Sequence, residues 1–206
     1  VATSKNTICN MALAELASTL YVTNIDSPST KEEKYCALFF PQALDYFLTL
    51  DSWSAAWHDQ KISYNDPMVL DADEMFTYEY DLPADPYCVK PLRILENPKA
   101  EFVVKARRLY CNIQYDGQIT LHYNKRVTTF NHFSAVELHA LALLLSYFLV
   151  GPLAKGRKNA KMEQWGFFIN ALDQARGTNA AMFNTKTIDY QVMPEPPDME
   201  SESWFD

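Results

Sequence analysis

Ile8, Met11, Ala12, Ala14 and Leu16 recur at helical spacing behind Thr3 or Ser4, either of which can cap a helix start. The pattern predicts a first helix to about Leu20. Residues 24–29 form a polar linker containing Pro28. Thr30-Lys31-Glu32-Glu33 then has the form of a capping box, in which Thr30 accepts from the Glu33 amide and Glu33 reaches back. A second helix follows, with Tyr35, Leu38, Phe39, Ala43, Phe47 and Leu48 near helical spacing. Pro41 lies inside it, removes one backbone donor and crowds the preceding turn, which predicts a kink or break at Phe39-Phe40. Trp53, Ala55, Ala56 and Trp57 read as a short continuation that plugs the base of a helical core.

Past an acidic loop at 65–74 the period changes. Phe76, Tyr78 and Tyr80 alternate with Thr77 and Glu79, the pattern of an aromatic strand, and Leu82-Pro83 ends it. Residues 89–95, 101–105, 109–115 and 118–123 are further short strands. Asp116-Gly117 between the last two is the strongest hairpin signal in the chain. Ser134 and Glu137 form a second capping box, and Leu138, Leu141, Ala142, Leu145, Phe148 and Leu149 run on as a helix apolar on nearly every face. Gly151-Pro152 stops or bends it. A fourth helix spans about 158–182 with Met162, Trp165, Phe168, Ile169 and Leu172, and after Asn184 the periodicity fades.

Composition adds limits. The chain has 206 residues, 48% of them apolar, enough for a core in one sizeable domain or one domain with an insertion. With only five glycines, few left-handed turns are expected. A net charge of −8 argues against binding nucleic acid by phosphate neutralisation. Cys9, Cys36, Cys88 and Cys111 form no C-x-x-C pair and read as buried thiols. The first residues lack the apolar stretch of a secretory signal, and the apolar run 138–150 is too short for a bilayer, so a soluble protein made in the cytoplasm is expected.

No catalytic, cofactor-binding or metal constellation emerges. His58, His122, His132 and His139 have no metal-ligand spacing, and no glycine-rich phosphate loop or nucleophile elbow occurs. Asp81 and Asp85 are separated by Pro83, which suits turn stabilisers accepting backbone amides better than a catalytic carboxylate pair. Lys155-Gly156-Arg157-Lys158 with Lys161, and Lys105 with Arg107 and Arg108, are the basic clusters. Each fits either a solvated surface or an electrostatic seat for an acidic partner or a few phosphates.

Taken in order, Asn10-x-Ala12-Leu13, the helix ending at Asp51-Ser52-Trp53-Ser54-Ala55, Tyr80-x-Leu82-Pro83-x-Asp85, and the closing pair 135–153 and 165–176 resemble the head-to-tail adaptors of short-tailed bacteriophages, the tail tubular protein A-like family. Where that family often has Gly-Arg, this chain has Ala106-Arg107, which sets its hairpin apart. The resemblance covers about residues 6–182. It implies a twelve-fold homo-oligomeric ring between the portal protein and the tail nozzle protein, with double-stranded DNA passing through without sequence-specific binding. It implies a virion neck or tail location after assembly in the host cytoplasm, no cofactor and no membrane.

The combined expectation is an α+β fold. A helical bundle formed by both chain ends (1–74 and 132–182) carries an inserted antiparallel β region (75–131) and an extended docking tail (183–206). Asp116 and Gly117 are the expected distal tail-docking tip. Tyr190, Trp204 and Phe205 are the expected anchors on the portal or a neighbouring subunit, because large apolar groups in a proline-stiffened acidic tail want a partner. The rival readings are another phage ring component (a tail-completion or nozzle protein) and a small enzyme whose site would be a pocket of convergent polar groups.

Overall fold

The computed structural model describes residues 3–18, 21–65, 76–154 and 159–183. Among them are four helices and six strands in two small antiparallel sheets, a mixed α+β architecture. Contacts divide the chain into two units, Val1–Ala43 with Phe133–Asp206, and Leu44–His132.

In the first unit, α1 (Lys5–Glu15) starts at Ser4, whose hydroxyl accepts from the Thr7 amide. It stops short of the expected Leu20 because Ala17 turns left-handed (φ 54°). The Ser18 amide then bonds the Leu13 carbonyl and the Ala17 amide that of Ala14, a Schellman closure built without glycine. The extended chain that follows is held by side chains. Asn10 exchanges two hydrogen bonds with the backbone of Val22, at 2.7 and 3.0 Å. Asn6, one turn earlier, accepts from the Ile25 amide and donates to the Thr23 carbonyl.

The same loop converges on Glu33, in the first turn of α2 (Lys31–Leu50). Its buried carboxylate accepts the amides of Thr23, Asn24, Ser29 and Thr30 and the hydroxyls of Thr23 and Ser29. Thr30 caps the Glu33 amide in return, completing the expected box. The amides of Ser29, Thr30 and Thr23 hold this carboxyl well below its ordinary range. Pro41 does not break α2, which runs unbroken through it. One lost bond is offset by the burial of Cys36, Phe40, Ala43 and Leu44 around it.

α3 (Ala135–Leu153) carries the Ser134–Glu137 box and packs against both α1 and α4 (Ala160–Phe183). Its length and composition would let it cross a membrane, longer than the sequence run suggested, but twelve of its residues are buried within the fold. Ser146, in its middle, shares its one hydroxyl hydrogen between the Leu143 carbonyl and the Gln164 side-chain oxygen of α4, each 2.7 Å away.

The second unit begins in the last turns of α2. Trp53 is fully buried, stacks on Phe47 at 4.4 Å and donates its indole N–H to the Phe47 carbonyl. A 3₁₀ turn (Ser54–Ala56) then leads into β1 (Trp57–Ser63), not a helical plug. The β region therefore starts well before residue 75, and the units part at 43/44 and 132/133. Period-two reading passed over β1 because only Ile62 in it is buried. One sheet has the order β1–β6–β3, with β3 (Cys88–Ile94) and β6 (Gln118–Lys125); the other is β2–β5–β4, with β2 (Tyr78–Asp81), β4 (Phe102–Lys105) and β5 (Arg108–Cys111). Tyr80, Ile94, Leu109, Ile119, Leu121 and Tyr123 form the core. Asn124 on β6, fully buried, donates both amide hydrogens to the α2-end carbonyls of Leu48 and Asp51.

Few left-handed residues were expected from so few glycines, yet Ala17, Ala106, Arg107 and Asp116 all have positive φ. Ala106 and Arg107 (φ 48° and 63°) close the β4–β5 hairpin as a two-residue turn. Replacing Ala106 with glycine should relieve the left-handed strain and stabilise the protein by about 0.5–1 kcal/mol, read as a higher urea midpoint. Glu33 predicts a pH signature. A depressed carboxyl stabilises above its ordinary value of 4.5, and that contribution is lost as pH falls below it. Glu33→Gln should therefore lower the unfolding midpoint clearly at pH 7, with the gap to wild type shrinking below pH 4.5.

Candidate functional site

The segment Leu82 to Tyr87 is a turn in the second unit that several side chains hold. Pro83 and Pro86 remove two backbone donors; the Cys88 amide meets the Pro83 carbonyl, and side chains supply the further donors. Arg107 does so from the β4–β5 turn. Its guanidinium donates to the Pro83 carbonyl at 2.9 Å and the Cys88 carbonyl at 3.3 Å, and lies 3.9 Å from the centre of the Tyr87 ring. The Leu82 amide bonds the Arg107 carbonyl in return. Arg126 covers Tyr87 too, at 4.4 Å, and pairs with Asp45. Tyr123 reaches the Pro86 carbonyl and Gln60, and burial pushes its hydroxyl up to about 12.

This corrects the roles expected of the aspartates. Asp85 is exposed and accepts no hydrogen bond among the described residues, and Asp81 sits 3.6 Å from Arg108 rather than on backbone amides. A turn short of amides has no use for more acceptors. The basic cluster at 105–108 is correspondingly engaged within the chain, since Arg107 holds the turn and Arg108 pairs with Glu79 at 2.9 Å. Lys161 of the other cluster stands 5.0 Å from the Tyr147 ring, and residues 155–158 lie outside the described residues.

A cavity of about 440 Å³ opens beside the turn, lined among others by Asp85, Tyr87, Lys125, Arg126, Thr128 and His132. Its polar groups do not converge. Arg126 is committed to Asp45, and no two lining side chains hydrogen-bond one another among the described residues. An Asp59–His122 pair, which sequence reading missed, joins β1 and β6 at directly opposed positions, with Trp57 edge-on to the imidazole at 5.1 Å. Only strand register brings these two together. Among the described residues no hydroxyl or thiol bonds to that imidazole, and no three His, Cys, Asp or Glu side chains gather as a metal site. The four cysteines are free and buried.

Asp116 and Gly117 do form a tight left-handed turn (φ 48° and 77°), with Tyr115 and Gln118 exchanging backbone bonds across it. The turn is not the tip of a two-stranded hairpin, however. β5 belongs to one sheet and β6 to the other, so the turn links sheets. Gly117 is also packed under Tyr64. Its carbonyl accepts the Tyr64 amide, and a Cβ there would stand 3.1 Å from the Tyr64 ring. Asp116 and the half-exposed Tyr115 are the parts a partner can reach. Tyr190, Trp204 and Phe205 lie outside the described residues.

No protein-family model matches the chain, and no curated protein matches it.

The Arg107 clamp can be tested directly. Arg107→Lys keeps the charge but loses the forked geometry that meets two carbonyls at once. It should cost about 1–2 kcal/mol in urea unfolding and release protection of the Cys88 amide against hydrogen exchange.

Proposed function

We propose that the chain is a structural virion protein: a head-to-tail adaptor whose homo-oligomeric ring joins a portal vertex to a tail nozzle and continues the DNA channel. The observation that carries the reading is the discontinuous first unit. The two ends of the chain contribute α1 with the start of α2, and α3 with α4, to one unit, while 44–132 makes another. We read the first as a helical bundle and the second as its inserted β region. The motif order supports this, because the Leu82-Pro83-x-Asp85 segment that carries the resemblance is also the turn on which Arg107, Arg126 and Tyr123 are spent. The left-handed Ala106 likewise sits where the resembling family often has glycine.

On this reading the chain needs no cofactor and catalyses nothing. Chains of charge −8 in a ring give the channel a negative field that keeps DNA from adhering as it slides. Asp116 with Tyr115, on the turn that Gly117 completes, is the proposed distal contact, and the tail with Tyr190, Trp204 and Phe205 the proposed contact to the portal or neighbouring copy.

Electron microscopy of the purified chain, alone and mixed with portal protein, tests the reading. A ring, twelve-fold on the portal, is the expected result. A chain that stays monomeric and fails to bind portal would overturn it.

A further inference from the structure

The sheet β2–β5–β4 has one edge closed and one open. On the β2 side, Tyr64 bridges Tyr80 and the Asn65 amide bonds the Glu79 carbonyl. On the β4 side no strand follows among the described residues. Register fixes which groups are left over. The two-residue turn at Ala106-Arg107 makes Lys105 and Arg108 the closing hydrogen-bonded pair. By alternation Val103 also bonds across to Tyr110, whereas Phe102 and Val104 turn their N–H and C=O groups away from β5. Val103 and Val104 are 39% and 41% exposed. An apolar edge with unspent backbone groups is a template for one more strand.

The chain itself contains a segment of matching chemistry. In Thr187-Ile188-Asp189-Tyr190-Gln191-Val192, polar and apolar residues alternate, and Met193 and Pro194 close the run. Added beside β4, its apolar side would continue the face on which Phe102 packs against the core, leaving Asp189 and Gln191 outward. The tail beyond Met193 holds Glu195, Asp198, Glu200, Glu202 and Asp206 without a base, and at the edge itself charge is mixed, with Glu101 between Lys99 and Lys105.

We infer that residues 187–193 of one copy pair with the β4 edge of a neighbouring copy, so that each subunit donates a strand to the next. The inference rests on the homo-oligomeric reading and names the surface that receives the tail.

Hydrogen exchange on the purified full chain reads the edge directly. The amides of Phe102 and Val104 should exchange at least about tenfold more slowly than in a chain truncated after Asn184. Val104→Pro removes an N–H that β5 does not use, so the hairpin keeps its bonds while the edge is blocked. This variant and the truncated chain should each be monomeric by light scattering. Mixed, they should form a one-to-one pair, because one supplies the tail and the other the edge. Equal exchange in full and truncated chains overturns the inference, as does a mixture that remains monomeric. Portal binding is scored separately. Rings of Val104→Pro on the portal would sink the strand exchange and leave the adaptor reading standing, whereas pairing in the mixture without portal binding would do the reverse.

Discussion

Every stretch of chain that leaves a helix or a sheet carries amides and carbonyls that need partners, and in this protein side chains supply them. Glu33 takes up the amides of the loop before α2, and Asn6 and Asn10 treat that loop as though they were a neighbouring strand. Arg107 meets the surplus carbonyls of the Pro83–Pro86 turn, Asn124 closes the end of α2, and Trp53 spends its indole N–H on Phe47. The sign of the deficit chooses the residue. Where amides are in excess an acid or amide oxygen stands there, and where prolines leave carbonyls in excess a guanidinium does. Such bonds contribute modestly when made, about 1 kcal/mol each, and cost more when one partner is removed, so they specify loop paths more than they add stability.

That division explains what could be read from the chain. The capping boxes at Thr30–Glu33 and Ser134–Glu137 are local, three residues apart, and both stand where the spacing put them. The apolar periodicity of α3 and α4 and the positions of β3, β4 and β6 were legible for the same reason. Long-range events were not. β1 has almost no buried residue of its own and exists because β6 offers it an edge. The Asp59–His122 pair depends on register, and the Arg107 clamp on a contact spanning 24 positions. Asp116-Gly117 gave its turn correctly but not the two sheets that the turn connects.

Glycine scarcity was misleading in an instructive way. Left-handed backbone costs an alanine or arginine about 1–2 kcal/mol, but the cost is met when the conformation is fixed by other bonds. At Ala17 these are the Schellman bonds to Leu13 and Ala14; at Arg107 they are the carbonyls of Pro83 and Cys88 and the Tyr87 ring. A non-glycine left-handed residue therefore marks a place where tertiary contacts dictate the backbone. Both Asp116 and the Ala106-Arg107 pair sit in the unit that carries the strongest motif.

Against this background the β4 edge is an exception that asks for a cause. A chain that commits a glutamate, three asparagines and an arginine to satisfying loop backbone leaves the outer edge of its Phe-Val-Val strand without a neighbouring strand among the described residues. Edges meant to stay free are commonly short, charged or proline-bearing. β4 is short, with Lys105 at one end, but its centre is two exposed valines, residues suited to pairing rather than to repelling it. The opposite edge, at β2, is bridged by Tyr64, so the asymmetry lies within one sheet of three strands. An open edge can pair with its own copy across a two-fold axis, or it can be filled by a different surface of the next molecule, which is the heterologous case proposed here. Contacts of that type repeat head to tail and close into rings when the rotation between copies permits. In the strand exchange inferred above, an edge filled by the tail of the next copy would encode a directional assembly in one strand and one tail.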